Sequence, residues 1–322
     1  MSDFSIDAGL ISVLMPAYNA ENYIELSISS ILQQTYTRIE ILILDDASTD
    51  NTSSILKKYS NDKRIKLFKS ENNIGYLNAV NSLFSHVNGD FVTFQDADDI
   101  SDFMRFEKSI NTISEWNVDF VSTGCGIIDT NGVILRRIGF PKEFNKNRDP
   151  YLRCCGSSIF LKRRLLDIYG GFNPYFNRIG SEDLEWATRL TQAGRYKYIN
   201  EPLYMYRKGE GSITTDVHSE LSLDRAVSHK IVELLVSSHY GKMNDRYWDN
   251  NEFAAQFKQI KAKLYSIESA YPYNVLWRTI DAYIYQGKIK LSFLVLYGAF
   301  RKYPLKFGNI KLFLKILKHL TL

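Results

Sequence analysis

Asp96 and Asp98 lie two residues apart in the segment Gln95-Asp96-Ala97-Asp98-Asp99, directly after the apolar run Phe91 to Phe94. Two carboxylates at that spacing can face one hard cation and leave coordination positions for phosphate oxygens, the usual arrangement for magnesium or manganese. A cation held there would neutralise the charge that grows on a departing diphosphate. The same residues also suit a plainer task, since Asp98, Asp99 and Asp102 could cap a helix running through Met104 and Phe106. A second acidic pair, Asp45-Asp46, follows Ile-Leu-Ile-Leu. A carboxylate where a buried strand meets solvent can accept hydrogen bonds from a uracil or ribose edge, and it can equally cap the next helix. The third cluster, Ser181-Glu182-Asp183, opens a pattern containing Leu184, Ala187 and Leu190. One of its carboxylates could take a proton from an attacking hydroxyl, or both could serve only the exposed amides of a helix N-terminus. Trp186, three residues after Asp183, shares its helical face and could either offer a sugar a flat apolar surface or sit in the core.

The elements that must position these groups follow from periodicity. Short β-branched runs alternate with helical patterns over the first hundred residues, the sign of βαβ units and a largely parallel sheet. Strands are expected at Ile11 to Met15, Ile39 to Leu44, Ile65 to Phe68 and Phe91 to Phe94, and helices at Ile24 to Leu32, Asn51 to Tyr59 and Tyr76 to Val87. Two of those strands deliver carboxylates at their C-terminal ends, the edge where open α/β sheets bind ligands. Between Val118 and Leu135 the pattern returns to strand, broken by the turn signal Asn131-Gly132. Helices are expected at Arg163 to Tyr169 and Glu182 to Ala193. Beyond Asp216 the strand signals fade and helical patterns rich in Lys, Leu and Tyr take over, which places a domain boundary near residue 215.

The chain of 322 residues is 45% hydrophobic and 24% charged, which excludes disordered and collagen-like classes. A net charge of +4 is too small to indicate nucleic-acid binding. Cys125, Cys154 and Cys155 make a poor disulfide framework and fit a reducing compartment. The opening MSDFSIDAGL carries no basic or apolar leader segment, so the expected location is cytoplasmic. No stretch approaches the roughly 20 apolar residues of a membrane span.

Each acidic cluster is ambiguous alone, but their order is informative. Ser12-Val13-Leu14-Met15-Pro16-Ala17-Tyr18-Asn19, then ISSILQQT at residues 28–35 and Leu44-Asp45-Asp46-Ala47-Ser48-Thr49-Asp50, resemble the opening of the family 2 glycosyltransferases. The resemblance continues through Asn73-Ile74-Gly75, Ala79-Val80-Asn81, Gly89-Asp90 and Phe94 to Asp99, and returns at Gly170-Gly171-Phe172, Glu182 to Trp186 and Tyr206-Arg207. It covers residues 10–215 and implies the GT-A fold: a Rossmann-like α/β domain with a mostly parallel sheet flanked by helices. Residues 10–110 would form its nucleotide half and 111–215 its acceptor half, followed by a helical C-terminal region at 216–322.

Carried over by position, the resemblance implies inverting transfer of one sugar from a nucleotide-sugar, with UDP as the carrier, to a hydroxyl of a glycan or lipid-linked acceptor. Pro16, Ala17 and Tyr18 would flank the uridine, Asp46 would contact uracil, and Asp45 would support that loop. Asn73, Gly75 and Asn81 fall among the nucleotide-sugar contacts. Asp96 and Asp98 become the metal–diphosphate motif for Mn²⁺ or Mg²⁺, with Asp98 the direct metal contact. Asp183 becomes the general base, Glu182 shapes the acceptor site beside it, and Trp186 contacts the acceptor. The chain departs from the pattern at Val80, where some members carry arginine, and near Gly209, where many carry histidine; Arg207 or Lys208 would then approach the diphosphate. No Gln-x-x-Arg-Trp motif of processive synthases occurs, so single-residue transfer is implied.

Asn309 to Lys318 places three lysines four and three apart beside Leu, Ile and Phe, and Arg301, Lys302 and Lys306 extend the charge. Residues 288–322 could lie in a membrane interface on the inner face of the cytoplasmic membrane, oligomerise, or pack on the catalytic domain. Two non-enzymatic readings stay open at this level: a nucleotide-sugar-binding protein without catalysis, and a membrane-docking interaction protein.

Overall fold

A computed structural model describes residues 9–138, 154–208, 227–235, 248, 251–270, 289–302 and 313–314. Four strands lead the fold: β1 (Ile11–Ala17), β2 (Ile39–Asp45), β3 (Ile65–Lys69) and β4 (Phe91–Phe94). All pair in parallel, in the order β3-β2-β1-β4. The connecting helices are α1 (Ile24–Leu32), α2 (Thr52–Lys57) and α3 (Tyr76–Phe84). Parallel strands covered on both faces read as continuous apolar runs, and every residue of β1 and β2 is buried. Ile11, Val13 and Met15 point to the face that packs Ile24, Ile28 and Ile31 of α1, while Leu14 and Leu42 fall on the other by the period-two alternation of a strand.

The remaining strands extend this sheet in mixed orientation. They are β5 (Ile100–Ser101), β6 (Phe120–Ile128), β7 (Ile134–Ile138), β8 (Phe160–Lys162) and β9 (Tyr196–Arg207). The order continues β4-β8-β6-β9-β5, with β7 paired to β6. β8 runs antiparallel to both neighbours, whereas β6 and β9 are parallel. Helices α4 (Arg105–Glu115), α5 (Arg163–Tyr169) and α6 (Glu182–Ala193) complete the layers. The expected break at Asn131-Gly132 is a tight turn: Gly132 has φ +84°, and the Asp129 carboxylate accepts the amides of Asn131 and Val133. The fold is a mixed α/β sheet flanked by helices.

The chain divides into two compact units, residues 1–209 with 232–250 and residues 210–231 with 251–322. The second contains the helices Asn251–Ala270 and Ile289–Lys302. The boundary expected near 215, the segment around Gly209 and most of the lysine-bearing segment 309–322 lie outside the described residues. Among the described residues no helix is long and apolar enough to cross a membrane.

Candidate active site

The C-terminal edge of the parallel strands carries two loops held in left-handed backbone conformations, at Asn19 (φ 48°) after β1 and Ala47 (φ 58°) after β2. Asn19 and Thr49 lock the loops together, Asn19 donating its amide to Ser48 Oγ and accepting the Thr49 amide. Pro16 and Ala17 are buried at the end of β1, and the Ala17 carbonyl accepts the Asp46 amide at 2.8 Å. Tyr18 is 49% exposed and so presents an aromatic face at this edge. A cleft of about 420 Å³ lined by Ala47, Ser48, Lys69, Ser70 and Glu71 opens beside the same loops.

Asp45 and Asp46 have different tasks. Burial opposes ionisation of Asp45, but hydrogen bonds from Ser48 and Ser53 outweigh it and hold the carboxyl below its ordinary range. Asp46, 2% exposed, accepts the amides of Ile74 and Gly75 at 2.9 Å each, one on either oxygen. Asp46 therefore anchors the Asn73–Gly75 loop. Gly75 needs to be glycine, because its φ is +86° and a Cβ would stand 2.7 Å from Asn177 Oδ1. Asn73 Oδ1 accepts from Arg178 at 2.7 Å, and Asn177 donates to the Ile74 carbonyl at 2.9 Å.

The third carboxylate cluster follows β4. Asp96 accepts from Tyr76 at 2.8 Å and from Ser157 at 2.7 Å, one on each oxygen, while its amide donates to the Tyr204 hydroxyl. Burial raises its carboxyl despite those donors. Asp98 is pushed up to about 6 by burial and then by the Asp96 charge, with Arg207 opposing. Asp99 stands well above its ordinary range for the same two reasons, burial first and the charges of Asp96 and Asp98 after it. Its Oδ2 is buried without a hydrogen-bond partner.

Asp183 reaches the site from α6. The lead-in contains Arg178 (φ 66°), Gly180 (φ 83°) and Ser181 (φ 67°), so left-handed residues turn the chain sharply into the helix. Glu182, Asp183 and Glu185 occupy its first turn. Contacts then close a circuit: Asp46 holds Ile74 and Gly75, the adjoining Tyr76 holds Asp96, Asp96 holds Ser157, the adjoining Gly156 abuts Asp183, and Asn177 before α6 returns to Ile74. The charge of Glu182 reaches the Tyr76 hydroxyl and that of Asp183 reaches the Cys154 thiol, and both groups are raised further above their ordinary values. These contacts join the clusters of Asp46, Asp96 and Asp183 into one connected network.

Residues 12–169 match the family described as Glycosyl transferase family 2. The chain is 31% identical over 245 residues to the UDP-Glc:alpha-D-GlcNAc-diphosphoundecaprenol beta-1,3-glucosyltransferase WfgD of Escherichia coli, covering 74% of this chain and 93% of the relative. This chain belongs to glycosyltransferase family 2. A second Escherichia coli relative, the beta-1,3-glucosyltransferase WfaP with the same named donor and acceptor, is 30% identical over 213 residues, 66% of this chain and 82% of that one. Staphylococcus aureus TarS, solved in complex with UDP-GlcNAc, shares the fold with a TM-score of 0.56 at 21% identity, covering 84% of this chain and 81% of that chain. The sheet and helices are those of the GT-A fold.

Within this glycosyltransferase three of the residues expected at the site are held by contacts inside the fold. Trp186 is 0% exposed and stacks among Phe84, Phe94 and Phe172, with its Nε1–H donating to the Gly170 carbonyl. It is a core residue and offers no face to an acceptor, because the side of α6 carrying it turns toward the sheet. Asn81 donates to the Phe172 carbonyl at 2.8 Å and accepts its amide at 2.9 Å, so both ends of the side chain clamp that backbone. Arg207, 2% exposed, donates through Nε to the Asp98 carbonyl and through Nη1 to the carbonyls of Asp129 and Thr130, while its own amide donates to Asp99. It braces the Asp98 turn from beneath; only Nη2 is without a partner.

Sequence reading missed Tyr76, Ser157, Tyr204 and the buried Arg105. Arg105 donates to the Phe94 and Ser157 carbonyls and to Thr93 and Ser101, tying the end of β4 to the turn that carries Ser157. Val80, where some members carry arginine, is 0% exposed against the sheet.

Proposed function

We propose that this family 2 glycosyltransferase moves one hexosyl or N-acetylhexosaminyl unit from a UDP-sugar to a hydroxyl of a lipid-diphosphate-linked glycan, with inversion. The observation that supports the reading is the chain of contacts that links the Asp46, Asp96 and Asp183 segments. The donor and acceptor named for WfgD support the substrate classes.

In this mechanism Tyr18 faces the base, Asp46 and the Asn73–Gly75 loop hold the nucleoside, and Asp183 takes the acceptor proton. The acceptor oxygen bonds to the anomeric carbon as the carbon–oxygen bond to the diphosphate breaks, through an oxocarbenium-like transition state. The donor set suits a divalent cation: Asp98 and Asp99 are destabilised as anions by burial and mutual repulsion, and Asp99 Oδ2 is an orphaned acceptor. Asp98, with Asp96, would hold Mn²⁺ or Mg²⁺, which would supply positive charge against the departing diphosphate. Among the described residues no group of three or more His, Cys, Asp and Glu is arranged to hold a metal ion, so Asp98 and Asp96 would bind one only together with the donor's phosphates.

A screen of UDP-sugars with and without manganese, read by UDP release, tests the proposal. Metal-dependent release from one or a few donors is expected, and silence across the panel would refute catalysis in favour of a binding protein.

We also propose peripheral contact with the cytoplasmic face of the membrane. The helix Ile289–Lys302 exposes Leu294, Tyr297 and Phe300, with Lys290 and Arg301 also in solvent. Apolar groups rimmed by cations suit an anionic lipid surface. Cosedimentation of the full chain with phosphatidylglycerol liposomes, lost at high salt, is the expected result; a protein that stays in the supernatant at low salt would sink it.

A further inference from the structure

The turn Gly156–Ser158 enters none of the sequence motifs, yet its first two residues touch two separate parts of the site. Ser157 donates to Asp96 Oδ2 at 2.7 Å. At Gly156 an added Cβ would stand 2.5 Å from Asp183 Cβ and 2.9 Å from its Oδ2. Real Cβ atoms do not approach so closely, and the obstructing atom is Asp183 Cβ itself, which cannot swing away without moving the backbone of α6. Gly156 is not among the residues with positive φ, so its backbone alone would admit a side chain. Space beside Asp183 is the reason for glycine here.

The turn is also rigid. Arg105 Nη2 donates to the Ser157 carbonyl at 2.7 Å, and Ser158, wholly buried, donates to the Cys155 carbonyl at 2.7 Å and accepts the Thr123 amide. Cys155 and Ile159 on either side are in extended conformation.

We propose that Gly156 and Ser157 are positioning residues that fix the distance between the diphosphate motif and the general base: Ser157 sets Asp96, and the bare Gly156 lets the first turn of α6 close until Asp183 faces the same donor. Two groups addressing opposite ends of one reacting bond must hold their separation, since an error near 1 Å can cost about 100-fold in rate. A pair of adjacent residues clamped to the sheet is a short ruler for that separation. The inference rests on the transferase reading and on Asp183 as its base.

The test is a double-mutant cycle on the full chain, read by UDP release from the UDP-sugar that the wild type uses and by calorimetry with UDP and Mn²⁺. Gly156→Ala is expected to lower kcat about 100-fold and to leave the UDP Kd within about threefold. In an Asp183→Asn background the same change should cost less than about twofold, because the residue it displaces has already lost its function. Ser157→Ala should act on the donor KM, since it loosens Asp96 and leaves Asp183 in place. If Gly156→Ala lowers Tm as well, the same change in an Asp183→Gly chain, which lacks the atom it meets, should lower Tm far less relative to Asp183→Gly alone. Full kcat in Gly156→Ala, an equal kcat penalty in the Asp183→Asn background, or an equal loss of Tm in the Asp183→Gly background would each overturn the positioning role while leaving the transferase standing. A wild-type chain inactive with every donor would overturn both.

Discussion

Asp183→Asn should abolish transfer while UDP still binds. The amide keeps the shape of the carboxylate but cannot accept the acceptor's proton, and positioned general bases contribute about 10² to 10⁴ in rate. A loss of roughly 10³-fold in kcat, with UDP affinity changed less than about twofold by calorimetry, is the expected pattern. The separation arises because Asp183 stands at the start of α6, across the Gly156–Ser157 turn from Asp96, while the proposed nucleoside contacts belong to β1, β2 and the Asn73–Gly75 loop. Glu182→Gln is the control: Glu182 occupies the same first turn and reaches Tyr76 electrostatically, so its loss should raise the acceptor KM and spare most of kcat. Turnover near wild type in Asp183→Asn would remove the base from the mechanism. Turnover lost in Glu182→Gln alone would move the role one residue toward the N-terminus.

What the sequence disclosed was set by how local each signal is. The strands β1 to β4 and the helices α1, α5 and α6 lie within a few residues of their periodic runs, because a strand buried on both faces and an amphipathic helix each write themselves into composition. β8 is three residues long, and β9 is interrupted by Asn200-Glu201-Pro202, where its register against β6 shifts. Neither offers an unbroken alternation. The acidic clusters were legible because their chemistry is unusual at strand ends. Ser157, 61 residues from the Asp96 it contacts, and Gly156, whose meaning is an absent atom beside Asp183, have no local signature at all. Trp186 and Asn81 show the opposite limit: a motif locates a residue in the chain but does not say which way its side chain points. One turn of helix separates Asp183, set against Gly156, from Trp186, packed on Phe172.

Asp98→Asn is expected to make the metal-free chain more stable and nearly inactive. A carboxyl whose folded pKa lies at about 6, against 3.8 as its ordinary value, binds its proton more tightly folded than unfolded. The folded state therefore loses stability as pH rises from about 4 through about 6, the reverse of the usual paired carboxylate. At pH 8 in EDTA the wild type carries that penalty in full, on the order of 1–3 kcal/mol, and the asparagine variant does not, so its Tm should be higher by several degrees. Near pH 5 the gap should narrow. Saturating Mn²⁺ should also narrow it, because a ligand that binds only the folded wild type stabilises only the wild type. Turnover should move the other way, falling about 10² to 10³-fold, since the charge on the departing diphosphate is no longer met. The crowding of the half-buried Asp96 and Asp98 with the buried Asp99 in one turn works against folding at neutral pH, and Arg207 beneath it contacts the Asp98 carbonyl but not the carboxylates of Asp96 and Asp98. An unfavourable arrangement of this kind persists where function requires it. An Asp98→Asn chain that is less stable than wild type at pH 8, or that keeps its turnover, would show that the turn is held for the helix α4 behind it and not for a cation.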